Sequence, residues 1–501
     1  EILTRDWSSD VCSSDLNSLA MAVSTRVLLA LLFSAFLLSA ANAYRQYPFQ
    51  QGQHGQRSIP LTQAQQCRLQ RLTGSQPSQR IESEGGYTEV WDENEEQFQC
   101  VGVAPMRNVI RQNSLSLPNF HPMPRLVYIE QGRGLISVIN PGCAETFQSQ
   151  TFQAGRMAGE ERGERRGNDQ HQKVHRIRQG DVVAIPAGAA HWCYNDGEEE
   201  LVAVSINDLN HRSNQLDQNF RAFYLAGGVQ ETSGRQIGVG KQSTQKFQNI
   251  FRAFNTELMA EAFNIPLEIV RRMQEEQNER GLIVNVREGM SMIRADEEEE
   301  EFEGRSQRGQ RWWAEVTGNG LEENICTMKI RTNMDTQRRA DIYSRQAGKI
   351  KHVNSQNFPI LRDMDMSASK GTLYPNALMS PHWSVNGHSV IYVQRGDAQV
   401  QVVDHTGQQV MNDRVNQGEM FVVPQYYAST VKAGQNGFEF AVFRTSSQPM
   451  NSQLAGYTSV IRAMPIEVLT NAYQISPNEA QRLKMNRGGE SFLLSPQRRS
   501  F

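Results

Sequence analysis

Two blocks of the sequence occur twice, and this internal repeat constrains the possible fold more than any other feature. RLVYIEQGRGLISVI at 125–139 matches SVIYVQRGDAQVQVV at 389–403, and QGDVVAIPAGAAHW at 179–192 matches QGEMFVVPQYYAST at 417–430. Each block of the first pair predicts two alternating strands around a glycine-containing turn. Each block of the second pair predicts a strand that follows a glycine and stops at a proline.

A third pair of blocks, LMAEAFNIP at 258–266 and VLTNAYQIS at 468–476, lies within helical patterns. The order of the blocks is the same in both halves of the chain. A chain of 501 residues is long enough for two domains with substantial cores. The repeat therefore predicts two copies of a β-barrel, each with a helical appendage.

The N-terminal region predicts a secretory signal rather than part of the fold. MAVSTRVLLALLFSAFLLSAANA at 21–43 has an arginine, an apolar run and small residues before the bond Ala43–Tyr44. The apolar run is too short to span a membrane, so we expect cleavage after Ala43. Residues 1–20 precede a start methionine and are interpreted as upstream or adaptor sequence. No other segment is predicted to cross a membrane.

The distribution of charge is more informative than its total. The formal net charge of -3 does not indicate a nucleic-acid-binding surface. Residues 44–319 contain 30 Lys and Arg against 36 Asp and Glu, whereas residues 320–501 contain 19 against 14. The balances are therefore -6 and +5, so a cut after Asn319 separates an acidic chain from a basic one.

The side-chain inventory favours a store of nitrogen. The chain contains 48 Gln, and 42 of its 51 basic residues are Arg. Folding does not require this bias, and both side chains are rich in nitrogen. An Arg-rich binding surface is the alternative that composition alone leaves open.

A charged insert separates the two repeats and ends in an Asn-Gly pair. ADEEEEEFEGRSQRGQR at 295–311 is predicted to be a solvated linker. Asn319–Gly320 taken alone indicates a tight turn. After such a linker it favours a proteolytic site. The predicted domains are 44–294, a linker at 295–319, and 320–501.

One unbroken block resembles a known motif of the cupins, which fold as antiparallel β-barrels. The block has the pattern G-x5-P-x-G-x2-H-x3-N, with members Gly180, Pro186, Gly188, His191 and Asn195. Together with the repeat, the signal segment and NGLEENICTM at 319–328, the chain from Gln66 to Met485 resembles the 11S, or legumin-type, seed storage globulins.

The resemblance implies a mainly β fold of two jelly-roll-like cupin barrels and a nutrient reservoir in the protein storage vacuole of seeds. It implies that signal peptidase and an asparaginyl endopeptidase process the precursor, the latter between Asn319 and Gly320. It also implies trimers before that cut, hexamers after it, and no enzymatic activity. Members of the family are often food allergens.

Five cysteines follow the signal segment, and sequence alone leaves their pairing open. They are Cys67, Cys100, Cys143, Cys193 and Cys326. The resemblance implies the pairs Cys67–Cys100 and Cys143–Cys326. The second pair then joins the acidic and basic chains after cleavage, and Cys193 remains unpaired on a strand as a small buried hydrophobe.

Cupin enzymes hold a metal with three histidines and a carboxylate, and this set is incomplete here. In the first repeat the H-x-H position reads Asn119-Phe120-His121, Arg125 occupies the position of the acid, and His191 is the third histidine. A fixed guanidinium would repel a divalent cation.

In the second repeat the corresponding positions hold His382, Ser384, Ser389 and Ser429. We therefore predict no catalytic, cofactor-binding or metal-binding residue in either barrel. A metal-dependent oxidase or isomerase and a small-ligand-binding bicupin are the alternative functions.

Overall fold

The computed structural model describes most of both repeats. The described residues are 69–143, 174–228, 247–275, 280–287, 290, 328–336 and 340–496, with the backbone alone at Gly234–Gln236. Several predictions concern residues outside these ranges and stay predictions. They are the segment 1–20, the signal cleavage at Ala43 and Tyr44, the linker 295–319, the processing pair Asn319 and Gly320, and the cysteines Cys67 and Cys326.

The first repeat forms a barrel of antiparallel strands. These are β1 (Gln79–Ser83), β2 (Gly86–Val90), β3 (Val103–Ile110), β4 (Ser114–Phe120), β5 (Arg125–Gln131), β6 (Arg133–Ile139), β7 (Val174–Arg178), β8 (Asp181–Ile185), β9 (Ala190–Tyr194), β10 (Leu201–Asp208), β11 (Phe223–Tyr224), β12 (Gly234–Gln236), β13 (Ile283–Asn285) and β14 (Arg331–Asn333). One sheet has the order β12-β1-β2-β3-β10-β5-β8-β14, and the other has the order β11-β4-β9-β6-β7 with β13 beside β4. This arrangement confirms the predicted β-barrel.

The second repeat forms a matching barrel from one ten-stranded sheet. Its strands are β15 (Ile342–Ser344), β16 (Gly348–Val353), β17 (Ser367–Leu373), β18 (Leu378–Ser384), β19 (Ser389–Val403), β20 (Gln409–Asn416), β21 (Met420–Val423), β22 (Ala428–Arg444), β23 (Asn451–Gln453) and β24 (Leu493–Leu494). The main path is β15-β16-β17-β22-β18-β23, and β19 pairs with β20, β21 and β22. Each of the two long strands, β19 and β22, therefore forms part of both sides of the barrel.

The repeated strand pair takes two forms. In the first barrel two separate strands form as predicted, but Gly132 at φ +83° is a single residue between β5 and β6, and these strands lie in different sheets rather than around a turn. In the second barrel, the prediction of two strands around a turn is wrong, because β19 is continuous and its register against β22 shifts beside Gly396. Gly396 has φ +77°, and a Cβ there would lie 2.2 Å from the Gly437 carbonyl oxygen. The glycine thus produces a bulge that bends the strand.

The helices lie mainly in the two predicted appendages. They are α1 (Glu96–Val101), α2 (Thr256–Phe263), α3 (Leu267–Gln274), α4 (Leu361–Met364), α5 (Val460–Ala463), α6 (Ile466–Tyr473) and α7 (Pro477–Met485), with a 3-10 turn at Ile250–Ala253. Asn264, in the left-handed conformation, ends α2, and Pro266 precedes α3. Within the described ranges no helix is long and apolar enough to cross a lipid bilayer.

Each half of the chain contributes an arm to the other barrel. The Leu72 amide donates to the Val410 carbonyl at 2.8 Å, and Ser75 bridges Met420, so the N-terminal arm lies on the second barrel. In exchange, β14 pairs with β8 of the first barrel. The domain limits 44–294 and 320–501 remain a proposal. The exchanged arms show that each of the two segments also pairs with the barrel of the other.

The core is shared between the two barrels. One buried apolar cluster contains residues of both, including Tyr128 and Tyr392. The Tyr392 hydroxyl donates to the Glu130 carboxylate at 3.1 Å, and that carboxylate also accepts from Arg107 at 3.3 Å. Because these polar groups are hydrogen-bonded, they can lie within the shared core at little cost.

Candidate functional site at the two barrel centres

The first barrel brings the predicted cupin positions together in one buried cluster. Strand pairing places Asn119 opposite His191 and Arg125 opposite Asn207, and His121 follows β4. All five side chains are buried. We call this set the first-barrel cluster. Asn207 is a member that the sequence analysis did not identify.

The guanidinium of Arg125 is hydrogen-bonded through Nε and Nη2 to the chain around it. Its Nη2 donates to His121 Nε2 at 2.7 Å, and its Nε donates to Asn207 Oδ1 at 2.8 Å. The Phe220 ring centroid lies 5.9 Å from the guanidinium carbon. Arginine is donor-only, so His121 Nε2 must be the acceptor, and its lone pair is occupied. A metal ion could not use that nitrogen without displacing Arg125.

The electrostatics of the cluster also disfavour a cation. Burial, followed by the charge of Arg125, lowers the pKa of His121 well below its usual value and lowers the pKa of His191 to about 3. The rings of the two histidines stack with their centroids 5.4 Å apart. Both imidazoles are therefore neutral at physiological pH, next to a positive charge that occupies the position of the missing carboxylate.

The second barrel confirms the predicted residues at its own centre and adds one. His382, Ser384, Ser389 and Ser429 lie around the same point as Arg444. We call this set the second-barrel cluster. Burial is the main cause that lowers the pKa of His382 to about 4. These residues offer one imidazole and three hydroxyls, and His352 lines the same cavity, but none of the lining residues is anionic.

Arg444 is the residue that sequence reasoning missed in this cluster. It lies opposite Ser389 in the sheet, and its Nε donates to Ser389 Oγ at 3.3 Å. The first barrel has Arg125 and Asn207 at the equivalent pair of positions, so the arginine has changed strands between the two repeats. Strand pairing aligns VSIN at 204–207 with AVFR at 441–444, so Arg444 takes the position of Asn207.

Metal-ligating side chains do not converge elsewhere in the part of the chain that the structure describes. There, no group of three or more His, Cys, Asp or Glu residues is arranged to hold a metal ion. The residues that are present at the two barrel centres are stronger evidence than the absence of such a group. In the first barrel the buried guanidinium of Arg125 occupies the position of the carboxylate, and in the second barrel Ser389 occupies it beside the buried guanidinium of Arg444.

The cysteines that can be placed show two different environments. Cys100 and Cys143 are each disulfide-bonded. The pairs Cys67–Cys100 and Cys143–Cys326 remain predictions because Cys67 and Cys326 lie outside the described residues. Cys193 is free on β9 and packs against the shared core. Burial, with a smaller contribution from Asp196, raises its pKa to about 12, so it is not an activated nucleophile.

The buried histidines predict a pH dependence of stability. Because the folded pKa of His191 is about 3 against 6.5, the unfolded chain takes up its proton first as the pH falls. The stabilisation is complete above 6.5 and is lost progressively below it. Between about pH 7 and about pH 5, His191 should account for about 2 kcal/mol of lost unfolding free energy.

Denaturant unfolding of the wild type and of His191→Asn at the two pH values checks this. As the pH falls from about 7 to about 5, the variant should lose about 2 kcal/mol less unfolding free energy than the wild type. His405→Asn, at an exposed turn of the second barrel, serves as the control with a wild-type pH dependence. Equal losses for wild type and His191→Asn would contradict the assignment.

Comparison with known proteins agrees with this geometry. The cupin family profile matches residues 73–231 and 332–481. The "11S globulin seed storage protein 2" of Sesamum indicum is 61% identical over 477 residues, covering 95% of this chain and 99% of that protein.

Two solved structures extend the comparison to three dimensions. The coconut allergen cocosin is 38% identical with a TM-score of 0.73, over 86% of this chain and 100% of that one. The recombinant pro-11S globulin of pumpkin is 37% identical with a TM-score of 0.72 and the same coverage. With its repeat, its paired barrels and these matches, the chain belongs to the cupin family and, within it, to the 11S globulins.

Proposed function

We propose that this protein is a seed storage globulin, a nutrient reservoir whose nitrogen supports germination. The observation that carries the proposal is that neither barrel centre keeps the carboxylate that a cupin enzyme needs. Arg125 stands at that position in the first barrel, and Ser389, beside the buried Arg444, stands there in the second. The 61% identity to a seed storage protein of sesame supports the same function. The abundance of Gln and Arg supplies the nitrogen.

The alternatives are less well supported. A metal-dependent oxidase or isomerase would need an open coordination sphere, whereas His121 Nε2 is already bonded to Arg125. The relatives reported above are storage globulins and an allergen. A protein whose main function is ligand binding is likewise not favoured by these relatives.

Processing and compartment belong to the proposal as well. The signal segment 21–43 directs the chain into the secretory pathway, from which it reaches the protein storage vacuole. Asparaginyl endopeptidase then cuts between Asn319 and Gly320. The bond Cys143–Cys326 keeps the acidic and basic chains together, and Cys67–Cys100 closes a loop within the acidic chain. Support comes from the disulfide-bonded state of Cys100 and Cys143.

The chain is also proposed to assemble with itself, as trimers before the cut and as hexamers after it. The helical appendages support this, because they expose large apolar side chains. Leu258 on α2 is 66% exposed, Tyr473 on α6 is 55% exposed and Leu483 on α7 is 54% exposed. Apolar helix faces of this kind mark surfaces that a partner subunit can cover.

Following the protein through the life of the seed tests the storage function. Immunoblots should show accumulation during seed filling and near-complete loss during germination, with amounts in leaf and root below detection. A metabolic protein of similar abundance in the same extracts is the control. A constant level through germination, or equal amounts in vegetative tissue, would contradict the proposal.

A further inference from the structure

Asn-Gly pairs occur three times in the chain, and the storage function accounts for only one of them. The pairs are Asn319–Gly320, Asn386–Gly387 and Asn436–Gly437. The first is the proposed processing site and lies outside the described residues. The other two lie in the second barrel, and the structure places their asparagines in contrasting surroundings.

Asn436 lies where β22 leaves its regular pairing. The register of β22 against β19 shifts beside Gly396, where residues 434–437 of β22 stand opposite Asp397 alone. In the sheet as described, residues 434–437 also have no register partner on β17 or β18. We call this segment the β22 bulge. Backbone that is not held by regular strand pairing changes conformation at low cost.

The side chain of Asn436 is accessible in this bulge. It is exposed, and among the described residues its amide has no hydrogen-bond partner. The next residue, Gly437, has φ +80°, and a Cβ there would lie 3.0 Å from the Leu373 carbonyl oxygen. Glycine is therefore favoured at this point. Because glycine has no Cβ, no side chain shields the Gly437 backbone nitrogen from the amide carbon of Asn436.

Asn386 provides the contrast within the same barrel. Its Nδ2 donates to the Gln448 carbonyl oxygen at 2.7 Å, and its Oδ1 accepts from the Met450 amide at 2.8 Å. Its side chain is half-buried. Both polar atoms of the amide are thus held by a neighbouring segment, so the amide carbon cannot turn toward the Gly387 nitrogen until both hydrogen bonds break.

We propose that Asn436 is a site of spontaneous deamidation in the folded protein, and that the fold protects Asn386 from the same reaction. This modification site goes beyond the storage function, which does not require it. The reaction is slow, and a protein held in a store between seed filling and germination gives it time. It releases the side-chain nitrogen of Asn436 as ammonia and leaves a carboxylate at the surface of the barrel.

The reaction needs water and no enzyme. The Gly437 backbone nitrogen loses its proton to solvent and attacks Asn436 Cγ, so that a new C–N bond forms. The bond from Cγ to the side-chain nitrogen then breaks, and this nitrogen takes a proton from solvent and leaves as ammonia. The product is a succinimide ring, which a water molecule opens at either carbonyl to give aspartate or isoaspartate. Isoaspartate has an extra methylene in its backbone, which the β22 bulge can take up because it has no register partners.

Peptide mass spectrometry on the intact protein tests the proposal. The folded protein is incubated at neutral pH in water labelled with heavy oxygen and is then digested with trypsin in ordinary water. The tryptic peptides 433–444 and 371–395 report Asn436 and Asn386 separately. Labelled aspartate and isoaspartate, which electron-transfer fragmentation distinguishes, should appear at Asn436 roughly tenfold or more faster than at Asn386, because two hydrogen bonds oppose the reaction there.

The same protein unfolded in guanidinium chloride is the matched control. Both asparagines precede a glycine, so they should react at similar rates once the fold is lost. In the folded protein, Asn436→Gln should release less ammonia and leave the rate at Asn386 unchanged, because a glutamine side chain closes such a ring far more slowly. Equal rates at the two positions in the folded protein, reaction at Asn436 only after unfolding, or a preference for Asn436 that persists in the unfolded chain would overturn the proposal.

Discussion

A variant carrying Asn119→His and Arg125→Glu is expected to bind about one divalent metal ion per chain, whereas the wild type binds none tightly. Asn119 lies directly opposite His191 in the sheet, so an imidazole there faces the existing one. The carboxylate would replace the guanidinium whose Nη2 lies 2.7 Å from His121 Nε2. Three imidazoles and one carboxylate suit Mn, Fe or Zn.

Equilibrium dialysis against Mn²⁺ and Co²⁺, with the visible spectrum of Co²⁺ as a second readout, measures this gain. Arg125→Met is the first control, because it removes the charge but supplies only the two existing histidines. Ser389→Glu is the second, because it gives the second-barrel centre one carboxylate with two histidines, His382 and His352, instead of three. A folded double variant that binds no metal, or tight binding by the wild type, would show that these two positions do not decide metal binding.

The substitution Asn319→Gln should abolish the processing cut. Expressed in seeds, the wild type is expected to give an acidic and a basic chain on a reducing gel, and the variant a single uncut chain. Asn324→Gln is a matched control in the same segment, because Asn324 is followed by Ile rather than Gly. Sedimentation of the same preparations should show trimers of the variant and hexamers of the wild type. Efficient cleavage of Asn319→Gln would place the processing site elsewhere.

Loss of the proposed bridge between chains should be equally visible. Cys143→Ser, once cleaved, is expected to separate into two chains without reductant, whereas Cys193→Ser should remain joined because its thiol is free. Non-reducing gels of the cleaved variants distinguish the two. Separation caused by Cys193→Ser, or no separation with Cys143→Ser, would refute the proposed pairing.

Local sequence patterns were sufficient to predict the elements whose ends are determined by single residues. The strand 181–185 follows Gly180 and stops at Pro186, and its counterpart stops at Pro424. In these places backbone chemistry acts within a few residues, so the sequence specifies the boundary. The repeat then predicted two barrels correctly because both copies have a glycine before this strand and a proline after it.

The features that were missed depend on contacts between distant segments. The bend at Gly396 is a bulge rather than a turn because of its contact with Gly437 on the neighbouring strand. Arg444 meets Ser389 only through strand pairing across 55 positions. The exchanged arms, likewise, pair Ser75 with Met420. No local pattern contains such pairings, since they arise from the closure of the barrels.

The metal content of the intact protein, purified from seed without chelators, is the most direct test of whether these barrels have lost coordination chemistry. Elemental analysis by mass spectrometry should find less than about 0.1 equivalents each of Mn, Fe and Zn per chain, because neither barrel has a carboxylate at the ligand position and each has a buried guanidinium at its centre. About one tightly held metal ion per chain would contradict that account, and with it the argument for storage over catalysis.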